Sequence, residues 1–384
     1  MPSRLLFGTM RIAFIGQKGF PATWGGVEVH VHRVATELAK RGHQVTVFNR
    51  RWYSGGAPSR SSFEGVRIVD APSARTSSLD ALSHSFISSV LALREPFDVI
   101  HYHCMGPSLM AWLPAMAGRT VVSTIHGPDY QAAKWGVLAR TALHLGEWSA
   151  LHAATKTTVV ARHLQARYAA RGEETAYIPN GVDPVVEHDI SHVPAQHRLA
   201  RGQYLLFLAR LEENKGAHEL IEAFHRCQQR GLFPGFKLVI AGDAAAGNPY
   251  GPRLRKQSAD DVWFAGQVSG VLKNALLTNA AAFVTPSWLE GLPISLLEAM
   301  SAGIPCIASD IPAHRELLED QIHGYLHTAR SVDALEAALV RFATLSESAL
   351  GRSSMAARER SRQYTWQGTT RALEALYVEA VAAR

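Results

Sequence analysis

The apolar positions of this chain follow two alternating rhythms. Arg11–Ile15, Gln44–Phe48, Asp98–His103 and Thr120–Ile125 are short segments rich in β-branched and apolar residues. That is the pattern of parallel strands buried on both faces. Between the first two, a helical spacing runs from about Val27 to Arg41 and stops at Gly42. A polar stretch rich in His and Pro at 184–201 reads as a linker, and the same alternation then restarts at Gln203–Ala209. Strands are expected at Phe236–Gly242, Val262–Gly266, Ala282–Val284 and Cys306–Ser309, helices at Val271–Asn279 and Ser331–Ala343, and a largely helical Arg358–Ala383. A βα pattern that restarts once predicts an α/β chain of two doubly wound domains. The length of 384 residues agrees with two cores rather than one. The expected boundaries are 1–190, 200–362 and a terminal helix over 363–384.

The second half is organised around Pro286–Met300, which holds Glu290 and Glu298 with seven residues between them. The strand before it stops at Pro286, and a helix opens near Leu292, where Pro293 suits the first turn. Gly303 and Pro305 close that helix. Glu290 therefore sits on the loop ahead of a helix N-terminus, and Glu298 about a turn and a half along. The backbone N–H groups of Gly291, Leu292, Ile294 and Ser295 would face whatever lies above. Carboxylates that accept from hydroxyls, beside amides that donate to phosphate, suit a polyhydroxylated anion. The alternative is a capping Glu290 and a solvated Glu298.

Other candidates lie at strand ends. Gly16–Gly26 is a glycine-rich loop without the G-x-G-x-x-G spacing, so it carries no dinucleotide fingerprint. Gly25 and Gly26 would let backbone amides approach a phosphate, or simply make a turn. Glu28, in the first helical turn, either complements the helix dipole or meets a substrate. His101 and His103 share one strand face, but the sequence shows no third ligand, and no metal site is expected. His126 ends its strand where open α/β sheets bind ligands. Arg210 and Lys215 follow the first strand of the second half, and such a pair suits a diphosphate if it is not merely solvated. Lys134–Ala150 mixes Lys134, Trp135, Arg140, His144 and Trp148, a face that either packs on a core or rests on an anionic membrane.

Composition narrows the classes. The formal charge is +6 with 18 His besides, which points to acidic partners. No Lys/Arg stripe is interleaved with aromatics, so no nucleic-acid partner is expected. Cys104, Cys227 and Cys306 are scattered and imply neither a disulfide frame nor a zinc pattern, as in a reducing cytosol. No apolar run reaches spanning length; Met105–Ala117 is broken by Pro107 and Pro114. Met1–Met10 makes no convincing signal peptide. A cytoplasmic protein, peripheral at most to a membrane, is the expectation.

The Pro286–Met300 stretch resembles the E-x7-E signature of retaining glycosyltransferases with two Rossmann-like domains, the GT-B architecture of the family-4 type. Ser287, Glu290-Gly291, Pro293, Glu298-Ala299, Gly303 and Pro305 carry the match. The strand Asp98–His103, His126-Gly127, Pro179–Asp183, Arg210 with Lys215-Gly216, and Tyr364-Thr-Trp366 resemble further family motifs and fall in order. The opening Ile15–Pro21 with Gly25–Glu28 resembles a bacterial cell-surface polysaccharide subgroup, some of whose members transfer rhamnose. The resemblance implies two domains facing across a cleft, a terminal helix that crosses back to the first, and transfer of a sugar from a nucleotide-sugar donor to a glycan or lipid-linked acceptor. It gives the diphosphate to Arg210, Lys215 and the amides of Gly25, Gly26 and Gly291, with Leu292 beside them. It gives the donor sugar to Glu290 and His126, the ribose to Glu298, the nucleobase to the segment holding Val268, and acceptor contacts to Glu28 and His103. No protein base and no cofactor are implied. The chain has no Asp-x-Asp triplet for a divalent ion, only the adjacent Asp260-Asp261. A nucleotide-sugar epimerase and a non-catalytic nucleotide-sugar binder are the rival classes.

Overall fold

The computed structural model describes residues 8–53, 61–74, 79–131, 135–245 and 247–384. The chain divides into two compact units. One holds Met1–Gly181 with Trp366–Arg384; the other holds Val182–Thr365. The division falls after Gly181 rather than near 190, and the whole 184–201 stretch belongs to the second unit.

The first unit runs β1 Arg11–Ile15, α1 Gly26–Lys40, β2 Gln44–Arg50, β3 Ser62–Phe63, β4 Val66–Ala71, α2 Asp80–Leu93 and β5 Val99–His103. There follow α3 Met105–Ser108, α4 Trp112–Met116, β6 Val121–Ile125, α5 Val137–His152, β7 Lys156–Val159, α6 Arg162–Ala169 and β8 Ala176–Tyr177. Its sheet has the order β3-β4-β2-β1-β5-β6-β7-β8 and is parallel except for β3. β5 and β6 are buried along their whole length, including the polar side chains of His101, His103, Ser123 and Thr124. The helix α1 buries Val31, Val34, Ala35 and Leu38, the spacing of one helical face.

The second unit runs β9 Tyr204–Leu208, α7 Ala217–Gln229, β10 Lys237–Ala241, α8 Tyr250–Gln257, β11 Val262–Gly266, α9 Gly270–Asn279 and β12 Ala282–Thr285. It continues with α10 Ile294–Ala302, β13 Cys306–Ser309, α11 Pro312–Leu317, β14 Tyr325–His327, α12 Val332–Thr344 and α13 Glu347–Ser361. Its six strands, β11-β10-β9-β12-β13-β14, are all parallel. Leu205, Phe207, Leu220, Phe224, Leu238, Ile240 and Leu339 form the core between sheet and helices.

The last helix, α14 Trp366–Ala382, returns to the first unit and packs on α1. Its Glu374 accepts hydrogen bonds from Arg41 and from His43 Nε2, the latter at 2.8 Å. Tyr377 Oη meets His101 Nδ1 at 2.6 Å. Both sheets therefore have a switch point, where the order reverses: between β1 and β5 in the first unit, and between β9 and β12 in the second. Open α/β sheets bind ligands outside the carboxyl ends of the strands at such points.

Candidate active site

In the second unit the loops after β9 and β12 flank the switch point, and they carry Lys215 and Glu290. Lys215 Nζ donates to Glu290 Oε1 at 2.6 Å, with both side chains largely buried. Gly216 brings the two loops together. It has φ +70°, and a Cβ there would come within 2.6 Å of the Pro286 carbonyl oxygen. Only glycine allows that approach. Trp288 N–H then donates to the Asn214 carbonyl at 2.8 Å, and Trp288 Nε1 donates to Glu219 Oε2 at 3.0 Å.

Burial alone would push the Glu290 carboxyl up. The Lys215 ammonium and its hydrogen bond outweigh it, helped by the Ser287 hydroxyl, and the net shift is downward. Glu290 is thus an anion held against a cation at the N-terminal end of α10. His314, buried behind it, is pushed down to about 4, chiefly by burial, so it is neutral near pH 7. Pro293 occupies the N-cap of α10 and Gly303 closes the helix at φ +73°. Gly291 and Leu292 are buried in the turn between Glu290 and the helix.

Glu298 lies inside α10 and accepts from Lys273 Nζ on α9 at 2.6 Å. Lys273 is a site residue that sequence reasoning missed, since a lone lysine on a helix carries no signal of its partner. Val268 is half-buried on the β11–α9 loop that leads to that lysine. Arg210 is exposed at the end of β9 with its guanidinium 3.3 Å from Glu212. Arg210 and Lys215 are each in an ion pair, the second with a candidate catalytic carboxylate.

In the first unit, Gly25 precedes α1 at φ +96°, and a Cβ there would lie 2.0 Å from Glu28 Oε2. Glu28 is buried and folds back beneath its own loop, where Oε1 accepts the Lys18 N–H at 3.1 Å. Its visible work is to hold the loop after β1, beyond either sequence alternative. Gly26 opens the helix. His103 and His126 end β5 and the strand beside it, with His103 Nδ1 3.0 Å from His126 Nε2. His30 on α1 joins them, its ring 4.8 Å from that of His126 and 5.5 Å from that of His103. The sequence shows no third ligand beside His101 and His103, and the structure brings two more imidazoles to His103. The sheet edge collects His30 and His126 there, residues 96 positions apart in sequence. His101 itself is spent on Tyr377 and on Thr124 Oγ1 at 2.7 Å.

The helix whose mixed basic and aromatic face suits either a core or a membrane starts at Val137, and Lys134 lies outside the described residues. Leu138, Leu145 and Trp148 are exposed on one side of α5, with Arg140 and His144 also exposed. Among the described residues no helix is long and apolar enough to cross a membrane, and none of the three cysteines forms a disulfide.

Two doubly wound α/β units, each with candidate residues at its switch point, define the class of two-domain Rossmann-like folds, and the comparisons with known proteins agree. Residues 24–186 match Glycosyltransferase Family 4 and residues 192–360 match Glycosyl transferases group 1. The chain is 30% identical to the glycogen synthase of Mycobacterium tuberculosis over 97% of its own length and 95% of that protein's. It is 30% identical to the phosphatidyl-myo-inositol mannosyltransferase of Mycobacterium leprae, over 93% of each chain. Among solved structures, Anabaena Alr3699/HepE in complex with UDP and glucose superposes with a TM-score of 0.78 at 20% identity, covering 96% of this chain and 100% of that one. The chain belongs to glycosyltransferase family 4 and has the GT-B fold of two Rossmann-like domains.

Proposed function

We propose that this glycosyltransferase moves a sugar from a nucleoside-diphosphate donor to a glycan or lipid-linked acceptor with retention at the anomeric carbon, in cell-surface polysaccharide synthesis. The observation that carries the reading is the Lys215–Glu290 pair, which spans both switch-point loops of the second unit at the start of α10. An incoming diphosphate offers Lys215 a second anionic partner, and sugar hydroxyls offer Glu290 donors in place of the ammonium. Arg210 and the amides of Gly291 and Leu292 add positive charge where the leaving diphosphate gathers negative charge. Glu298 takes the ribose, with Lys273 holding its carboxylate in place, and Val268 borders the base.

In the first unit the Gly25-Gly26 turn and His126 serve the diphosphate and the reacting sugar, while Glu28 and His103 serve the acceptor. The donor phosphate takes the acceptor's proton, so no protein base is assigned. Two lysine-carboxylate pairs and Arg210 do the work a divalent ion does elsewhere, and turnover is independent of such an ion. The basic charge and the Leu138–Trp148 side of α5 favour peripheral contact with an anionic cytoplasmic membrane. Acceptor-free hydrolysis of nucleotide sugars tests the donor reading. An epimerase would change the sugar without releasing a nucleoside diphosphate, and a mere binder would do neither.

A further inference from the structure

We propose that His30, His103 and His126 form a binding site for one divalent transition-metal ion of the zinc class. One ring nitrogen from each lies within 4.8 Å of the others. A tetrahedral ion at roughly 2.0–2.1 Å from each nitrogen wants them about 3.3 Å apart, so rotamer changes of about 1.5 Å close the site. One pair already fits: His103 Nδ1 and His126 Nε2 are 3.0 Å apart.

The surroundings are those of a ligand set rather than of ordinary buried histidines. His30 Nδ1 is 2.9 Å from Asn180 Oδ1, which fixes the proton on Nδ1 and leaves the Nε2 lone pair free. That Nε2 is buried with no hydrogen-bond partner among the described residues. Buried polar atoms are nearly always paired, so this orphan beside the His103–His126 pair asks for an occupant. An amide oxygen on the far nitrogen is the usual way a metal-binding imidazole is oriented. His101 cannot join, since both its nitrogens are engaged.

The donor set also selects the ion. All three members are imidazoles, and no carboxylate belongs to the group among the described residues. Imidazoles suit zinc, cobalt, nickel and copper, whereas magnesium and calcium require oxygen ligands. His126 is partly exposed and gives the ion a way in, while His30 and His103 are fully enclosed. A fourth coordination position stays open on the His126 side. Because His126 also serves the sugar in the proposed function, zinc and donor would compete there, and that clause alone rests on the functional reading.

Cobalt reports on the site without any sugar present. Full-length protein freed of metal with EDTA and then dialysed is titrated with Co²⁺ while its visible spectrum is followed. The expected result is a tetrahedral d–d band that saturates at one equivalent, is displaced by Zn²⁺, and is untouched by excess Mg²⁺. His126→Ala and His103→Asn abolish the band, each with its circular dichroism unchanged as the check on folding. Asn180→Ala weakens cobalt binding by roughly 10–100-fold. His192→Ala, at an exposed histidine of the second unit, leaves the band intact. Absence of the band in wild type, or its survival in both His126→Ala and His103→Asn, overturns the proposal. If the band behaves as expected but zinc does not inhibit sugar transfer, the site stands and the shared use of His126 falls.

Discussion

Replacing Lys215 by Met keeps most of the aliphatic stem and deletes the charge that holds Glu290. The two side chains are only 12% and 14% accessible, so water reaches the abandoned carboxylate poorly. Breaking a fully buried pair costs roughly 3–5 kcal/mol, and leaving a buried acceptor unsatisfied roughly 1–3. The residual exposure places Lys215→Met at about 2–3 kcal/mol. For a unit spanning residues 182–365, that loss lowers the melting temperature by about 5–10 °C. The double variant Lys215→Met/Glu290→Gln removes both charges and recovers much of the loss, giving a coupling energy of at least about 1.5 kcal/mol.

The pH dependence gives an independent sign. In wild type the Glu290 pKa is depressed, so its contribution is present above the ordinary carboxylate range and is lost as pH falls through the depressed value. In Lys215→Met burial acts unopposed and the carboxyl moves above its ordinary value. The penalty is then relieved on acidification, because the folded variant takes up the proton first. Calorimetry of the four proteins, near pH 7 and again at about pH 5, measures both effects. Equal stability of wild type and Lys215→Met, with a coupling energy indistinguishable from zero, would refute the argument.

Three further outcomes are expected. His84 and His314 are each held down to about 4, first of all by burial, so between about 6.5 and 4 the unfolded chain binds protons that the native state refuses. Stability should be full above that window and fall through it by up to about 3 kcal/mol per histidine; a flat melting profile from neutral pH into the window would contradict this. Glu298→Ala should mainly raise the donor KM and Glu290→Ala mainly lower kcat, each by at least about tenfold, and unchanged kinetics in both folded variants would remove these carboxylates from the site. The protein should sediment with anionic vesicles at low salt and less with neutral ones, and equal partitioning would count against the α5 surface.

The fold was readable wherever a buried strand was short and rich in β-branched and apolar residues. Cys306–Ser309 appears as expected, and β5, β6 and β9 differ from expectation only by flanking residues. The stretch from 52 to 97 was not read, because β3 and β4 form a short ribbon at the sheet edge and α2 buries serines and a histidine in place of an apolar stripe. The terminal helix expected over 363–384 opens at Trp366, after α13 ends at Ser361, and belongs to the first unit.

At the candidate site, the positions of Glu290 and Glu298 on their loop and helix followed from Pro293 and Gly303 alone. Their lysine partners did not. Lys215 lies 75 residues from Glu290 and Lys273 lies 25 from Glu298, and only the sheet order brings them together. The same limit hid the histidine cluster. His103 and His126 were visible as strand ends, whereas His30 shows its role only when α1 is laid over the sheet.

The central claim, metal-free transfer from a nucleotide sugar, meets its most direct test in one assay. Purified wild type and the Arg210→Ala/Lys215→Ala variant are incubated with UDP-, GDP-, ADP- and dTDP-sugars in excess EDTA, and released nucleoside diphosphate and sugar are followed by NMR. We expect slow cleavage of one donor by wild type, with the released sugar first appearing in the donor's own anomeric form. The double variant should lose this by about 10³-fold or more, since neutralising the leaving diphosphate supplies several kcal/mol of transition-state stabilisation. Cleavage that stops in EDTA and returns with magnesium or manganese, or that persists undiminished in the double variant, would contradict the account.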